Sequence, residues 1–437
     1  MTLRLGSHEM RVLTCRSAPT VANMSRMKRW AWWAPLVLAS CLGGNELGYI
    51  EATHFGDLSH GEPERMAFDE RIVDRCGDSG ALTSAGQDAL ARTPYVQRVD
   101  GAGAVFMMKS TEASRVRLFD ATPRRDQAVD TEILLDVSPP DTTSLPTERM
   151  AVGAMLGESD IQCYQVMGPD GAWTAPTGLF TAPRTRDSVV RFSSFGDLGQ
   201  DTSDQRAVLE ALRGVESEFV VVNGDVAYED GTPQEIQDYF FEVYADVLDN
   251  VPFFPALGNH DARTQGGKPL LDAFELPLNG GTERFHYSYD WGPVHVAVIN
   301  TESPTASQAA WLDQDLSASD AAWNIVVGHK PPYSSGSHGG DTDVLDVFSP
   351  VLVDHGVELA LFGHEHNYER TIPIGGVTYV VSGGGGVGTR EIEATEISAH
   401  ANRVAHFVHF EATPDELTMW AIDGTGQVFD TWQATKD

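Results

Sequence analysis

Residues 361–370 read LFGHEHNYER: a short apolar run meets Gly363, and His364 and His366 then stand on either side of Glu365. The two imidazoles either belong to the strand and lie in separate surroundings, or leave it through a turn and converge on one metal cluster. The answer comes from four other places where an apolar run ends in the same way. They are Gly196-Asp197-Leu198-Gly199, Gly224-Asp225-Val226-Ala227-Tyr228, Gly258-Asn259-His260-Asp261 and Gly328-His329. In open α/β sheets, ligands gather beyond the carboxyl ends of the strands, where glycine lets the backbone come close. One such motif alone is usually a turn. Five in series supply the carboxylates, amide, phenol and imidazoles that hard and borderline cations prefer.

The runs leading into these ends include VVRFSSFG, EFVVVNG, VHVAVIN, WNIVVG, VELALFG and VTYVVSG, all rich in β-branched residues. Helical patterns alternate with them. DQRAVLEALRGVESE puts Val208, Leu209, Leu212 and Val215 on one face, and TPQEIQDYFFEVYADVL opens with Thr232 and Glu235 at capping-box spacing around Pro233. DTDVLDVFSPVLVDHG ends at Gly356, with Pro350 predicting a kink or break. Alternating strands and helices over residues 186–437 predict an α/β layered domain. Residues 93–185 differ: short alternating runs separated by Pro, Gly and Asp predict a small all-β sandwich.

The remaining segments bear on location. Arg26, Lys28 and Arg29 precede WAWWAPLVLA (residues 30–39), which is the length of a signal-peptide core and too short to span a bilayer. Leu38-Ala39-Ser40-Cys41 follows it and looks like a bacterial lipobox, so the chain is expected to be exported to the periplasm or cell envelope and lipid-anchored at Cys41. Residues 1–23 do not fit a signal, and Met24 or Met27 is the better start. Residues 41–92 read as a tether. Cys76 and Cys163 could pair as a disulfide in an oxidising compartment or remain buried thiols. With 30 Lys+Arg against 63 Asp+Glu, the net charge of −33 repels nucleic acid and anionic lipid, so no nucleic-acid partner is expected. An anionic substrate needs local positive charge, such as bound metal, to override that field.

The order D-x-G, GD-x-x-Y, GNH-D, a lone strand-end H and GH-x-H resembles the calcineurin-like metallophosphoesterases. Tyr228, three residues after Asp225, with Gly199 where many relatives have His, narrows the resemblance to the purple acid phosphatases. It covers residues 186–437 and implies a layered α/β/β/α sandwich. The segment ending in Phe180-Thr181-Ala182-Pro183 resembles the fibronectin-III-like domain that precedes the catalytic domain in that family. The resemblance assigns Asp197, Asp225, Tyr228 and His366 to one metal, with Asp225 bridging to a second held by Asn259, His329 and His364. The first set is hard and anionic and suits Fe(III). The second suits a divalent ion such as Zn, Mn or Fe(II). His260 and His338 match the family's histidines for phosphate contact and leaving-group protonation. Two cations about 4 Å apart can clamp a phosphate, generate hydroxide and stabilise the leaving oxygen.

The resulting expectation is an acid-phosphatase-type hydrolase of small phosphate monoesters. A phosphodiesterase or nucleotidase on the same core is the nearest alternative, and a non-catalytic surface phosphate-binding protein is the alternative of another class. Gly383–Gly388 satisfies G-x-G-x-x-G, but the polar TREIEATE that follows does not open a dinucleotide-binding helix, so the run is read as a turn packed near the metals. His406 and His409 are read as packing residues, Trp311 and Leu312 as helix core, and Asp261 as a turn former or an orienter of His260.

Overall fold

β-Branched runs with glycine or carboxylate ends become strands where expected, and they order the whole molecule. The computed structural model describes residues 61–63, 76, 90–100, 103–110, 115–120, 132–136, 147–153, 161–167, 178–181, 184–281 and 284–436. All of them belong to one unit, His54–Asp437. The expected signal segment 1–40 and Cys41 lie outside the described residues. Among the described residues, no helix is long and apolar enough to cross a membrane.

Among the described residues, seven strands come first: β1 (Leu90–Asp100), β2 (Gly103–Ser110), β3 (Arg115–Asp120), β4 (Glu132–Asp136), β5 (Thr147–Gly153), β6 (Ile161–Val166) and β7 (Gly178–Thr181). They pair antiparallel into sheets of order β1-β2-β5 and β4-β3-β6-β7. Phe106 of β2 meets Tyr164 of β6 at 4.8 Å and Phe180 of β7 at 5.5 Å, so the two sheets share an aromatic core. The boundary expected at residue 93 falls inside β1, where Arg92 is already buried and bonded to Gln237. Two points of the expected tether are also tied down. Cys76 forms a disulfide with Cys163 of β6, and the Gly61 carbonyl accepts from Trp420 Nε1 at 3.0 Å.

The α/β part runs β8 (Val190–Phe195), α1 (Ser203–Arg213), β9 (Phe219–Val222), α2 (Pro233–Ile236), α3 (Ala245–Leu248), β10 (Phe253–Pro255), α4 (Lys268–Ala273), β11 (Tyr287–Trp291), β12 (Val294–Val298), α5 (Ala306–Ala318), β13 (Trp323–Val327) and α6 (Thr342–Asp354). It continues through β14 (Leu359–Phe362), β15 (Tyr368–Thr371), β16 (Thr378–Ser382), β17 (Ser398–Asn402), β18 (His406–Ala412), β19 (Glu416–Asp423) and β20 (Val428–Thr435). One sheet has the order β10-β9-β8-β18-β19-β20, the other β11-β12-β13-β14-β16-β15-β17. Strand alternation divides the second sheet's residues between two cores. Val296, Ile325, Val327, Leu359 and Leu361 join the large core that includes the first sheet. Ala297, Val326, Ala360 and Tyr379 pack with Leu312, Phe348 and Leu352 of α5 and α6. The arrangement is an α/β sandwich: the first sheet is parallel through β10-β9-β8 and antiparallel from β8 through β18, β19 and β20, the second is parallel at its centre through β12-β13-β14-β16, and all four residues of β9 are buried.

Helix chemistry follows the sequence with two exceptions. Thr202 caps α1 through Gln205 N, and the Thr232–Glu235 capping box forms around Pro233. The continuous helix expected from residue 232 is instead interrupted by a wider π turn, Gln237–Phe241, in which Phe240 and Phe241 both face the core. The second exception is Pro350, where α6 continues to Asp354 without breaking. Pro350 and Asp346, four residues earlier, are both exposed, so water can satisfy the carbonyl that proline leaves without a donor. Gly356, at φ 60°, then ends the helix as expected.

Candidate metal centre

Each sequence-predicted donor follows the end of a strand, and three of the seven adopt a backbone conformation that side-chain-bearing residues rarely take. Asp197, Asp225 and His364 have φ of 58°, 53° and 70°, a left-handed geometry that costs about 1 kcal/mol per residue. The bend turns each side chain off the strand line and towards the others. Glycine is required beside them for space. A Cβ on Gly258 would lie 2.1 Å from Asp225 Oδ1, and one on Gly363 would lie 2.6 Å from Asp197 Oδ2. The run Gly383–Gly388 packs against the same strand ends, with Gly385 N donating to Gly196 O (2.9 Å) and Val387 N to Asp197 O (3.1 Å).

All seven predicted ligands are brought together, in two groups that share Asp225. In the first, Tyr228 Oη lies 2.8 Å from both Asp197 Oδ1 and Asp225 Oδ2, and 3.4 Å from His366 Nε2. His366 Nε2 is also 3.4 Å from Asp197 Oδ1. In the second, Asn259 Oδ1 lies 3.1 Å from His329 Nε2 and 2.9 Å from His364 Nδ1, and His329 Nε2 lies 3.3 Å from Asp225 Oδ2. Asp197, Asp225 and His329 are buried and could hold one ion among themselves. His364 also donates its amide N–H to Asp197 Oδ2 (2.8 Å), which ties the histidine loop to the end of β8.

The donor set fits cations. Three oxygens meet at Tyr228 with one hydroxyl proton among them, although two belong to carboxylates. Burial, then Asp197 and Asp225, push the Tyr228 phenol well above its ordinary range. A phenolate there needs a cation beside it. In the second group, His329 Nδ1–H donates to the Asn223 carbonyl (2.8 Å), so in the neutral ring the Nε2 lone pair faces the oxygens of Asn259 and Asp225. An arrangement of acceptors only is satisfied by a metal ion or by an added proton. With protein charges alone, burial would lower the His329 pKa, but Asp225 outweighs it and pushes the group up to about 10. Burial and His329 push His364 down to about 3, keeping it neutral and able to ligate. Burial opposes ionisation of Asp225, yet His329 and the His260 amide hold it below the usual carboxylate range.

The two predicted acid–base histidines flank the centre. His260 packs against the Tyr228 ring at 4.1 Å, its amide donates to Asp225 Oδ1 (2.8 Å), and its Nδ1 engages the Glu229 carbonyl (2.6 Å). His338 lies over His364, with ring centroids 4.7 Å apart. Glu365, which carried no role in the sequence, is fully buried and accepts from the His338 amide and lies 3.1 Å from its Nδ1. Four residues on, Glu369 accepts from Ser335 N (2.7 Å), so two carboxylates of the histidine loop and β15 fix the 334–338 segment. Asp261 follows the turn at residues 259–260 and opens the short 3-10 turn Asp261–Arg263. It receives Gly258 N and Val226 N at 3.0 Å each, clamping two strand ends together. Burial, then Asp225, push its carboxyl up to about 7. His406 and His409 stay outside, on Val404 O and Ser193 Oγ. Leu312 is core as expected, while Trp311 is partly buried and donates to the Asn279 carbonyl.

Residues 190–368 match the family of calcineurin-like phosphoesterases. They form a calcineurin-like phosphoesterase domain. The domain is that of a metal-dependent phosphoric-ester hydrolase, and its relatives are acid phosphatases. Tartrate-resistant acid phosphatase type 5 of Sus scrofa is 24% identical over 312 residues, 59% of this chain and 89% of that protein. Acid phosphatase type 7 of Homo sapiens is 29% identical over 214 residues, 42% of this chain and 48% of that protein. The structure of a purple acid phosphatase from yellow lupin seeds superposes with a TM-score of 0.65 at 19% identity, covering 79% of this chain and 74% of the other. At that identity the likeness is one of fold.

Proposed function

We propose that this chain is an exported phosphomonoesterase of the purple acid phosphatase type, working with Fe(III) in the group of Asp197, Asp225, Tyr228 and His366. A divalent ion, Zn, Mn or Fe(II), would be held by Asp225, Asn259, His329 and His364. The observation that carries the reading is the convergence of seven donors in two groups joined by Asp225 Oδ2. When bound, two such cations offset phosphoryl charge and let water attack in line at modest pH. The chain's own residues supply the rest. Asp225 fixes the spacing of the two groups, and the Asn223 carbonyl holds His329 in the tautomer that offers Nε2. His260, with Nδ1 engaged by Glu229, has Nε2 free for a phosphoryl oxygen. His338, with Nδ1 held by Glu365, has Nε2 free to protonate the leaving oxygen.

Export through a signal segment and lipid attachment at Cys41 belong to the same proposal. They are supported by the apolar run ending in Leu38-Ala39-Ser40-Cys41 and by the Cys76–Cys163 disulfide, a bond favoured in oxidising compartments. The antiparallel strands described in the N-terminal part suit the fibronectin-III-like assignment. Elemental analysis of protein expressed with iron and zinc should find about two metals per chain. One or none would sink the dinuclear reading. A simple aryl phosphate should be hydrolysed faster than its bis-aryl diester, and the reverse order would make the enzyme a diesterase.

A further inference from the structure

Arg390 leaves the glycine run at the mouth of the metal centre, and nothing in the mechanism above uses it. Its amide donates to the His366 carbonyl at 2.7 Å, which fixes its backbone to the histidine loop. Its guanidinium Nη1 donates to the His364 carbonyl at 3.2 Å and lies 3.1 Å from His338 Nδ1. That nitrogen cannot serve two neighbours: as a donor it satisfies the buried Glu365 carboxylate, and as an acceptor it satisfies Arg390. A buried carboxylate has the stronger claim on an N–H. Arg390 is then left with the His364 carbonyl for one of its five N–H donors.

Its charge is equally underused. The other cations around the centre are neutralised, Lys330 by Glu302 at 3.0 Å and Arg263 by Glu229 and Asp230 at 3.4 and 3.5 Å. Among the described residues, no carboxylate pairs with Arg390. In a chain with 63 acidic residues against 30 basic ones, a partly exposed guanidinium beside the centre without a counter-ion has chemistry to spare. Its place beside His338 puts it on the leaving-group side.

We propose that Arg390 is a specificity-determining residue that binds an anionic group carried by the leaving group, so that the preferred esters have a carboxylate or second phosphate beyond the scissile oxygen. This deepens the phosphomonoesterase reading and rests on it. The test uses the metal-loaded protein and two aryl phosphates of matched leaving-group pKa, one with a carboxylate on the ring and one without. The ratio of their kcat/KM values should fall about tenfold in Arg390→Gln, mainly through KM of the carboxylated ester, and recover in part in Arg390→Lys. Calorimetry supplies a readout without turnover. Methylenediphosphonate should bind the wild type more tightly than methylphosphonate, and Arg390→Gln should remove that advantage. If both esters and both phosphonates weaken equally, or none changes while two metals remain bound, the proposal is overturned. If the wild type hydrolyses neither ester, the phosphatase reading fails by itself, and the phosphonate pair still decides whether Arg390 binds the second anion.

Discussion

Two buried histidines with acidic neighbours show how differently one side chain can be used. His329, fully buried at the end of β13, gives Nδ1 to a backbone carbonyl and turns Nε2 towards Asn259 and Asp225. His295, the second residue of β12, is held at both nitrogens by carboxylates, Asp290 at 2.8 Å and Asp315 at 2.9 Å. With protein charges alone both rings favour the protonated form, His329 up to about 10 and His295 up to about 9. The pKa therefore does not separate a ligand from an ion-pair residue. The partner of the far nitrogen does: a neutral carbonyl on Nδ1 leaves Nε2 for a cation, whereas carboxylates on both sides demand an imidazolium.

The largest effect should come from Asp225, the residue common to both groups of the centre. Asp225→Ala should cut metal content from about two ions to one or none and lower phosphatase activity by at least about 10³-fold. Asp315→Ala, which removes a comparably placed carboxylate from His295, should leave both metals in place. Elemental analysis of the two variants tests the distinction directly, and metal loss in Asp315→Ala would break it. Next comes Tyr228→Phe. If the Tyr228 group holds iron, the visible tyrosinate-to-iron band should disappear while the far-ultraviolet circular dichroism is unchanged. A band that persists would move the iron to another ligand set.

His329 was legible from sequence and His295 was not, and the reason is local. Gly328-His329 closes an apolar run, as Asp197, Asp225, Asn259 and His364 do, so donor, glycine and strand end lie within a few residues of one another. His295 lies inside VHVAVIN, and its partners stand five residues before it and twenty after it. The same limit hid Glu365, whose partners are Ser337 and His338, and Arg390, whose partners are His338, His364 and His366. It also left open the pairing of Cys76 with Cys163 across a separation of 87 residues. The break at Gln237–Phe241 escaped a helical pattern because Phe240, Phe241 and Tyr244 all seek the core, a demand set by Phe253 and Phe274 from other elements. The Thr232–Glu235 capping box, the helix end at Gly356 and the long valine-rich strands needed no such distant information.

The smallest of the three effects is one of stability, and its sign follows from His295. Burial alone would lower its pKa from 6.5, but its bonds to Asp290 and Asp315 raise it to about 9. A group whose pKa is higher in the folded state stabilises that state fully below its unfolded value. The contribution shrinks from about pH 6.5 upwards and is gone above about pH 9. The full shift would set an upper limit of about 3 kcal/mol, and the solvent around half-exposed Asp290 reduces it to about 2 kcal/mol. The wild type should therefore be more stable than His295→Gln by about that amount near pH 6, with the difference closing as the pH approaches 9.5. Denaturant midpoints measured across this range on metal-loaded protein isolate the effect, because the metal centre is common to both proteins and cancels. A constant difference between the two proteins would mean that His295 contributes packing alone. The contrast with His329 would then rest on geometry without charge.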